Sequence, residues 1–259
     1  MSREGERRRR VVITAGASGI GREVALRFAL VGADVTICDV NDHHIARLAE
    51  SAPSIRAVKC DVTDAAAVED LVAYAAQAMG GLDTVIANAG TAGPTAFAED
   101  VSPEDWEATI AVNLSGQFYL IRSSIPFLKK EGNGSIVTIS SAAGRLGFPM
   151  RAPYAAAKWG VIGLTQTLAM ELGEFGIRVN TILPGSVEGD RMQSVLKERA
   201  VHSGISYEMA REQEIENVSM KRLIEPNEIA DLIFFITSEK GRSISGQSIG
   251  ICGNLEVLR

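Results

Sequence analysis

Histidine is scarce in this chain, with only His43, His44 and His202 among 259 residues. The first two fall in a polar helical stretch and the third in a long charged one. Neither a Ser/His/Asp hydrolase nor a histidine-ligated metal centre therefore has its parts, and no metal is expected. Cysteine is equally sparse. Cys38, Cys60 and Cys252 lie in or beside apolar runs without metal-ligand spacing, which reads as reduced core thiols and excludes a disulfide scaffold. No run of about 18 apolar residues occurs, and the amino end lacks the apolar segment of a signal peptide. The expectation is a soluble cytoplasmic protein with no membrane contact. Basic residues are outnumbered, 26 Lys and Arg against 32 Asp and Glu, for a net charge of -6. That balance argues against a nucleic-acid surface. The short run Arg7 to Arg10 is read as a solvated, frayed end, so residues 1–9 are set aside as a basic arm.

What the chain does have is apolar content, 46% against 22% charged, enough for one large core and a single domain over 1–259. Short β-rich runs alternate with helical stretches. Strands are predicted at Val11–Ala15, Asp34–Cys38, Ile55–Lys59, Thr84–Ala87, Ser135–Ile139 and Arg178–Leu183, with a last one after Gln247. A helical crossover between each pair implies an α/β fold with a doubly wound sheet of seven parallel strands, covered by helices on both faces. Asp190 to Met220 is polar and charged and reads as a weakly anchored lid over a substrate rather than as core.

Open sheets of this kind bind ligands beyond the carboxyl ends of their strands. The run Ser135–Ile139 ends at Ser140-Ser141, which gives Ser141 that address. From Ala152 to Phe175 the residues favour helix and Gly176 closes it, so Tyr154 and Lys158, four apart, share one face. A free phenol has a pKa of about 10, and a neighbouring ammonium favours the phenolate, as a general acid/base requires. Ser141 can polarise a carbonyl oxygen that Tyr154 protonates. Alone, a Tyr and a Lys four apart occur by chance on many helices.

Three further features support a nucleotide site. Gly16-Ala17-Ser18-Gly19-Ile20-Gly21 follows the first strand and opens a helix, where glycines admit a pyrophosphate and free N–H groups favour its charge. Asp39 lies at the end of the second strand, where such folds set an acid on the adenosine ribose. Its carboxylate would repel a 2′-phosphate, so NAD is expected as cofactor rather than NADP. After the fourth strand come Asn88, Ala89 and Gly90, the last expected to let the chain pass a ribose closely.

Together, the Ser, the Tyr-x-x-x-Lys and the turn Thr14-Ala15-Gly16-Ala17-Ser18-Gly19-Ile20-Gly21 resemble the short-chain dehydrogenase/reductase family over nearly the whole chain. The resemblance implies a Rossmann-type fold and an NAD-dependent oxidoreductase interconverting a secondary alcohol and its ketone. It implies that Asn113, in Val112-Asn113-Leu114-Ser115-Gly116, completes the catalytic set Ser141, Tyr154, Lys158 and Asn113 by supporting a proton relay. It implies that Asp61 and Val62 flank the adenine ring, that Lys158 also holds the ribose hydroxyls, and that Pro184, Gly185 and Val187 hold the nicotinamide amide. A homotetramer built on the long helices near 103–130 and 152–175 is implied too. Departures are Ala15 where the family has glycine, with Gly16 expected to supply the turn's freedom, Ala87 for the first asparagine of the family's N-N-A-G ahead of Asn88-Ala89-Gly90, Gly189 for threonine, and Cys252 for an acid. They leave open a catalytically silent dinucleotide-binding regulator on the same fold. Arg145, Arg151 and Arg191 frame the expected cleft, so the small-molecule alcohol or ketone is expected to carry an anionic or strongly polar group.

Overall fold

The computed structural model describes residues 8–255. In chain order the elements are β1 (Arg10–Thr14), α1 (Gly19–Leu30), β2 (Asp34–Asp39), α2 (Asp42–Ser51), β3 (Arg56–Lys59), α3 (Ala65–Met79) and β4 (Thr84–Ala87). There follow α4 (Pro103–Ile110), α5 (Gly116–Glu131), β5 (Gly134–Ile139), α6 (Ala152–Leu172), β6 (Ile177–Pro184), α7 (Asp190–Ser203), α8 (Tyr207–Glu216), α9 (Pro226–Thr237) and β7 (Ser248–Ile251). The seven strands form one parallel sheet in the order β3-β2-β1-β4-β5-β6-β7, as the alternation predicts. Chain order reverses at β1, which pairs with β2 on one side and β4 on the other, and such a reversal opens a ligand crevice above it.

Strand periodicity divides the core into two layers. In β1, Val11 and Ile13 face one side and pack with Phe28 of α1 and Ile229, Ile233 and Ile236 of α9. Val12 points the other way, into a layer shared with Leu71 and Val72 of α3, Leu120 and Ile121 of α5 and Leu168 of α6. Strands buried on both faces are near-continuously apolar, which is why these runs stood out in the sequence.

Local chemistry sets the boundaries. Ser102 accepts from Asp105 N to cap α4, with Pro103 at its first position. Asp64 caps α3 in the same way. Gly176, at φ 70°, ends the turn that closes α6. The long helix expected near 103–130 contains a widened π segment, Ala111–Ser115, between α4 and α5.

At the amino ends of the strands, Arg10 is buried and donates to both carboxylate oxygens of Asp83 at 2.8 and 2.9 Å. It also pairs with Glu131 at 3.0 Å. Arg9 reaches Thr237 on α9. Of the run read as a frayed basic arm, Arg9 and Arg10 are thus tied into the fold, and Arg7 lies outside the described residues. Cys38 and Cys60 are buried with free thiols, and Cys252 is half-buried. Among the described residues no helix is long and apolar enough to cross a membrane, and no cluster of His, Cys, Asp and Glu could hold a metal.

The segment 190–220 differs from its expectation in one respect. It forms α7 and α8, which carry a small apolar cluster of their own, Leu196, Ala200 and Ala210 with Met192, Ile205 and Tyr207. Gly204, at φ 62°, stops the first helix, and Ser206 caps the second by accepting from Met209 N.

Candidate active site

The carboxyl ends of β1, β2, β4, β5 and β6 bring the predicted residues to one rim. Ser141 lies two residues past the end of β5. It is half-buried, and its Oγ accepts from Ala143 N at 3.2 Å, which fixes the side chain at the start of a short 3-10 turn. The neighbouring Ser140 donates to Lys158 O at 2.7 Å and so pins this strand end to α6. Along α6, Lys158 lies one turn beyond Tyr154, with its Nζ 5.5 Å from the centroid of the phenol ring. Lys158 is only 3% exposed, and its Nζ donates to Ile139 O at 2.9 Å. Burial, and secondarily the charge of Arg191, bring its ammonium down to about 7.

Asn113 lies in the π segment and is fully buried. Its Nδ2 donates to Thr91 O and Thr109 O at 3.1 and 3.0 Å, and its Oδ1 accepts from Thr91 N at 3.3 Å. These bonds lock the stretch after β4 against the helix. Gly90 is the meeting point: a β-carbon there would come within 2.8 Å of Asn113 Oδ1 and 3.4 Å of Lys158 Nζ. Only glycine fits between them. π segments occur preferentially at functional sites, and this one turns Asn113 toward the strand ends.

The glycine turn has a geometry the sequence reading did not foresee. Gly16 was expected to supply its freedom, yet the left-handed residues are Ala15, at φ 49°, and Gly19, at φ 51°. Gly16 is required for space instead, since a β-carbon would press to 2.5 Å against Ile37. At Gly21 a β-carbon would lie 2.2 Å from Ala15 O. Gly19 faces open space, and Ser18 makes no capping bond, so the start of α1 keeps room and free donors for a phosphate. Asn88 braces this turn by donating to the carbonyls of Thr14 and Ala15 at 3.0 and 3.1 Å. Thr14, which sequence reasoning passed over, accepts from Asn88 N and Ala89 N at 3.1 Å each.

Asp39 is nearly buried at the end of β2, accepting from Ala17 N at 3.3 Å and Asn41 N at 3.1 Å. Its carboxylate thus stands beside the glycine turn. Asp61 is exposed and its carboxylate accepts from Thr63, whereas Val62 is buried against Gly116. Pro184 ends β6, and Gly185 N donates to Ile251 O at 3.0 Å. A β-carbon on Gly185 would strike Cys252 at 2.7 Å. Val187 bridges to Ile224. Gly189, in place of the family's threonine, has φ 137°, open only to glycine.

The three arginines behave differently from one another. Arg151 is buried and donates to Ala92 O and Gly93 O at 3.0 and 3.2 Å, so it props the loop after β4. Arg145 donates to Ser248 O. Arg191, exposed in the first turn of α7, donates to Gly90 O at 2.6 Å. A cavity of about 570 Å³ opens beside the site, between Gly93–Thr95 and the outer side of α7 at Lys197 and His202. Tyr154 and Ser141 do not line it, so it lies apart from the catalytic residues.

Residues 14–253 match the family described as enoyl-(acyl carrier protein) reductase. The chain is 36% identical to a 3-oxoacyl-(acyl-carrier-protein) reductase of Thermotoga maritima, over 95% of this chain and 97% of the relative. It is 33% identical to a D-beta-hydroxybutyrate dehydrogenase of Cupriavidus necator, over 91% and 93%. Among solved structures it resembles an actinorhodin polyketide ketoreductase variant with NADPH, at a TM-score of 0.92 and 28% identity over 96% and 97% of the two chains. It also resembles a NAD+-bound xylitol dehydrogenase, at 0.89 and 28% over 94% and 97%.

Proposed function

This chain belongs to the short-chain dehydrogenase/reductase family, and on that premise we propose that it is an NAD-dependent oxidoreductase interconverting a secondary alcohol and its ketone, with Tyr154 as the acid/base. One observation carries the reading: Lys158 Nζ and Asn113 Oδ1 converge on Gly90 while Lys158 lies beside the Tyr154 ring.

The residues present suit a nicotinamide dinucleotide. The open face of Gly19 and the uncapped start of α1 suit its pyrophosphate, and Asp39 suits an adenosine ribose that bears a free 2′-hydroxyl. Similar structures carry NADPH in one case and NAD+ in another, so the preference for NAD rests on Asp39. When bound, the nicotinamide supplies the hydride chemistry.

Everything else falls to the protein. The Ser141 hydroxyl, oriented by the bond that its oxygen accepts from Ala143 N, has its O–H available to donate to the substrate oxygen. Tyr154 gives its phenolic proton to that same oxygen in reduction and takes it back in oxidation. Lys158 holds ribose hydroxyls and, up to about pH 7, stands as the cation next to Tyr154. Asn113 keeps the helix and the Gly90 loop in register for the relay.

The substrate in this reading carries an anionic group, met by Arg191. All three arginines donate to backbone carbonyls, but Arg191 does so at Gly90 O, the peptide against which Lys158 and Asn113 meet, and is exposed there; Glu188 is engaged with Arg211 at 3.0 Å and Glu198 with Thr95 at 2.9 Å. Residues 190–220 act as a lid that brings Arg191 to the substrate. A relative named for hydroxybutyrate supports a hydroxy acid. Exposed Trp106, Phe118 and Trp159 on α4, α5 and α6 support a homotetramer through these helices, which sedimentation tests. The function is tested by screening hydroxy acids and neutral alcohols of similar size with NAD, following the absorbance of the reduced cofactor. Turnover with hydroxy acids is expected, and its loss in Arg191→Ala with neutral substrates unaffected identifies the anion contact.

A further inference from the structure

Gln117 lies one turn beyond Asn113 on α5 and is 1% exposed. Its Nε2 donates twice, to Asn113 O at 3.0 Å and to Ile139 O at 3.0 Å. Ile139 O is also the acceptor on which Lys158 Nζ rests. One amide therefore joins the helix that carries Asn113 to the last residue of β5, two positions before Ser141, at the oxygen that holds the lysine.

The π segment explains why a side chain is needed there. Its widened turn sends Gly116 N to Ala111 O, five residues back, and so shifts the register of the helix carbonyls around Asn113. Gln117 brings a donor to one of them. The orientation of the amide is determined by its partners, because the reversed amide would set its oxygen against two carbonyl oxygens. That orientation leaves Gln117 Oε1 buried without a protein donor among the described residues. Burying such an oxygen carries a desolvation penalty that a methionine of similar length would not incur. Filling space is thus poorly served by an amide, whereas holding two carbonyls at a fixed spacing requires one.

We propose that Gln117 is a positioning residue of the active site: its amide ties Asn113 O to Ile139 O and thereby fixes the acceptor that presents the Lys158 ammonium. The proposal rests on the reading of Lys158 and Asn113 given above and adds a residue outside the Ser, Tyr, Lys and Asn set. With both donors in place, Ile139 O divides its lone pairs between Gln117 and Lys158. Without Gln117, the carbonyl serves the ammonium alone and the charged lysine is better held, but the strand end that carries Ser141 loses its tie to Asn113.

The test compares wild type, Gln117→Met, which keeps the length but has no N–H, and Gln117→Glu, which keeps the shape and replaces the donor by a carboxyl oxygen. Lys158 is titrated by NMR in protein labelled with 13C at lysine Cε, its resonance assigned by disappearance in Lys158→Met. This readout needs neither substrate nor cofactor. In Gln117→Met the lysine is expected to titrate at least about half a unit above the wild-type value, and in Gln117→Glu higher still. Turnover is expected to fall about 10-fold with little change in KM, the pattern of a misplaced acid/base rather than lost binding. A folded Gln117→Met with wild-type titration and wild-type kcat overturns the proposal. If Gln117→Met does not fold, an unchanged Lys158 titration in Gln117→Glu overturns it equally, and failure of both variants to fold counts against it by making the residue a tie for the whole layer. Should no hydroxyl compound be turned over, the proposed function fails while the titration still decides the role of Gln117.

Discussion

Arg191 and Lys158 belong to different helices yet face the same peptide unit: Arg191 donates to Gly90 O at 2.6 Å, and a β-carbon on Gly90 would lie 3.4 Å from Lys158 Nζ. Two cations share this corner, and burial together with the arginine's charge brings the lysine down to about 7.

The first prediction concerns stability against pH. An unfolded lysine titrates near 10.4, so between about pH 7 and 10 the unfolded chain binds a proton that the folded chain does not. Stability should therefore rise with pH across that window, by up to about 1.4 kcal/mol per unit from this residue, and flatten below pH 7, where both states are charged. Denaturant titrations of wild type against Lys158→Met should show the slope vanish in the variant. In Arg191→Met the window should narrow from its lower end, because the second cause of the shift is gone.

Removing the phenolic proton is the second. Tyr154→Phe keeps the ring and its packing, so turnover should drop at least about 100-fold. NAD affinity, measured by fluorescence titration, should survive. Retained turnover would refute Tyr154 as the acid/base.

Cofactor choice gives the third. Asp39→Ala should weaken NAD and relatively favour NADP, since it removes a ribose acceptor and a repulsive charge. It also strips Ala17 N and Asn41 N of their acceptor, which should cost about 1 kcal/mol of stability. Affinities for both dinucleotides decide the point; a wild type that already prefers NADP defeats the assignment.

Ala15 supplies the fourth. A side chain at φ 49° costs on the order of 1 kcal/mol relative to glycine, partly offset by the entropy that glycine adds to the unfolded chain. Ala15→Gly should raise the unfolding free energy by about 0.5 kcal/mol. Gly19→Ala, at nearly the same φ, should lower it by about 1 kcal/mol. Thermal melts of the two variants should therefore move in opposite directions.

The sheet was legible because its strands are buried on both faces, so runs such as Val11 to Ile13 carry no polar interruption. Tyr154 and Lys158 were legible because helical spacing alone brings four-apart residues together. The π segment was not: nothing in Ala111–Ser115 announces a register shift, and the bond of Asn113 across to Thr91 that accompanies it joins residues 22 apart in the chain. Gln117 was missed for the same reason, since its partners are backbone oxygens that no sequence pattern marks. The helices α7 and α8 did leave a trace, Leu196 and Ala200 four apart followed by Gly204 and Ser206, which the surrounding charge obscured. Ala15 is a case where the familiar motif misled, because the backbone keeps the left-handed turn and accepts the strain of a methyl group.

The pairing of Arg10 with Asp83 and Glu131 lies at the amino ends of β1 and β4, the opposite edge of the sheet from Ser141 and Asn88. A five-residue strand separates the two edges by roughly 15 Å, beyond the range over which substitutions couple strongly. Stability and specificity are therefore separately adjustable in this chain. Changes that loosen the catalytic rim in favour of a new substrate can be balanced by tightening the far edge, which gives the scaffold evolutionary latitude that a site sharing its supports with the core would lack.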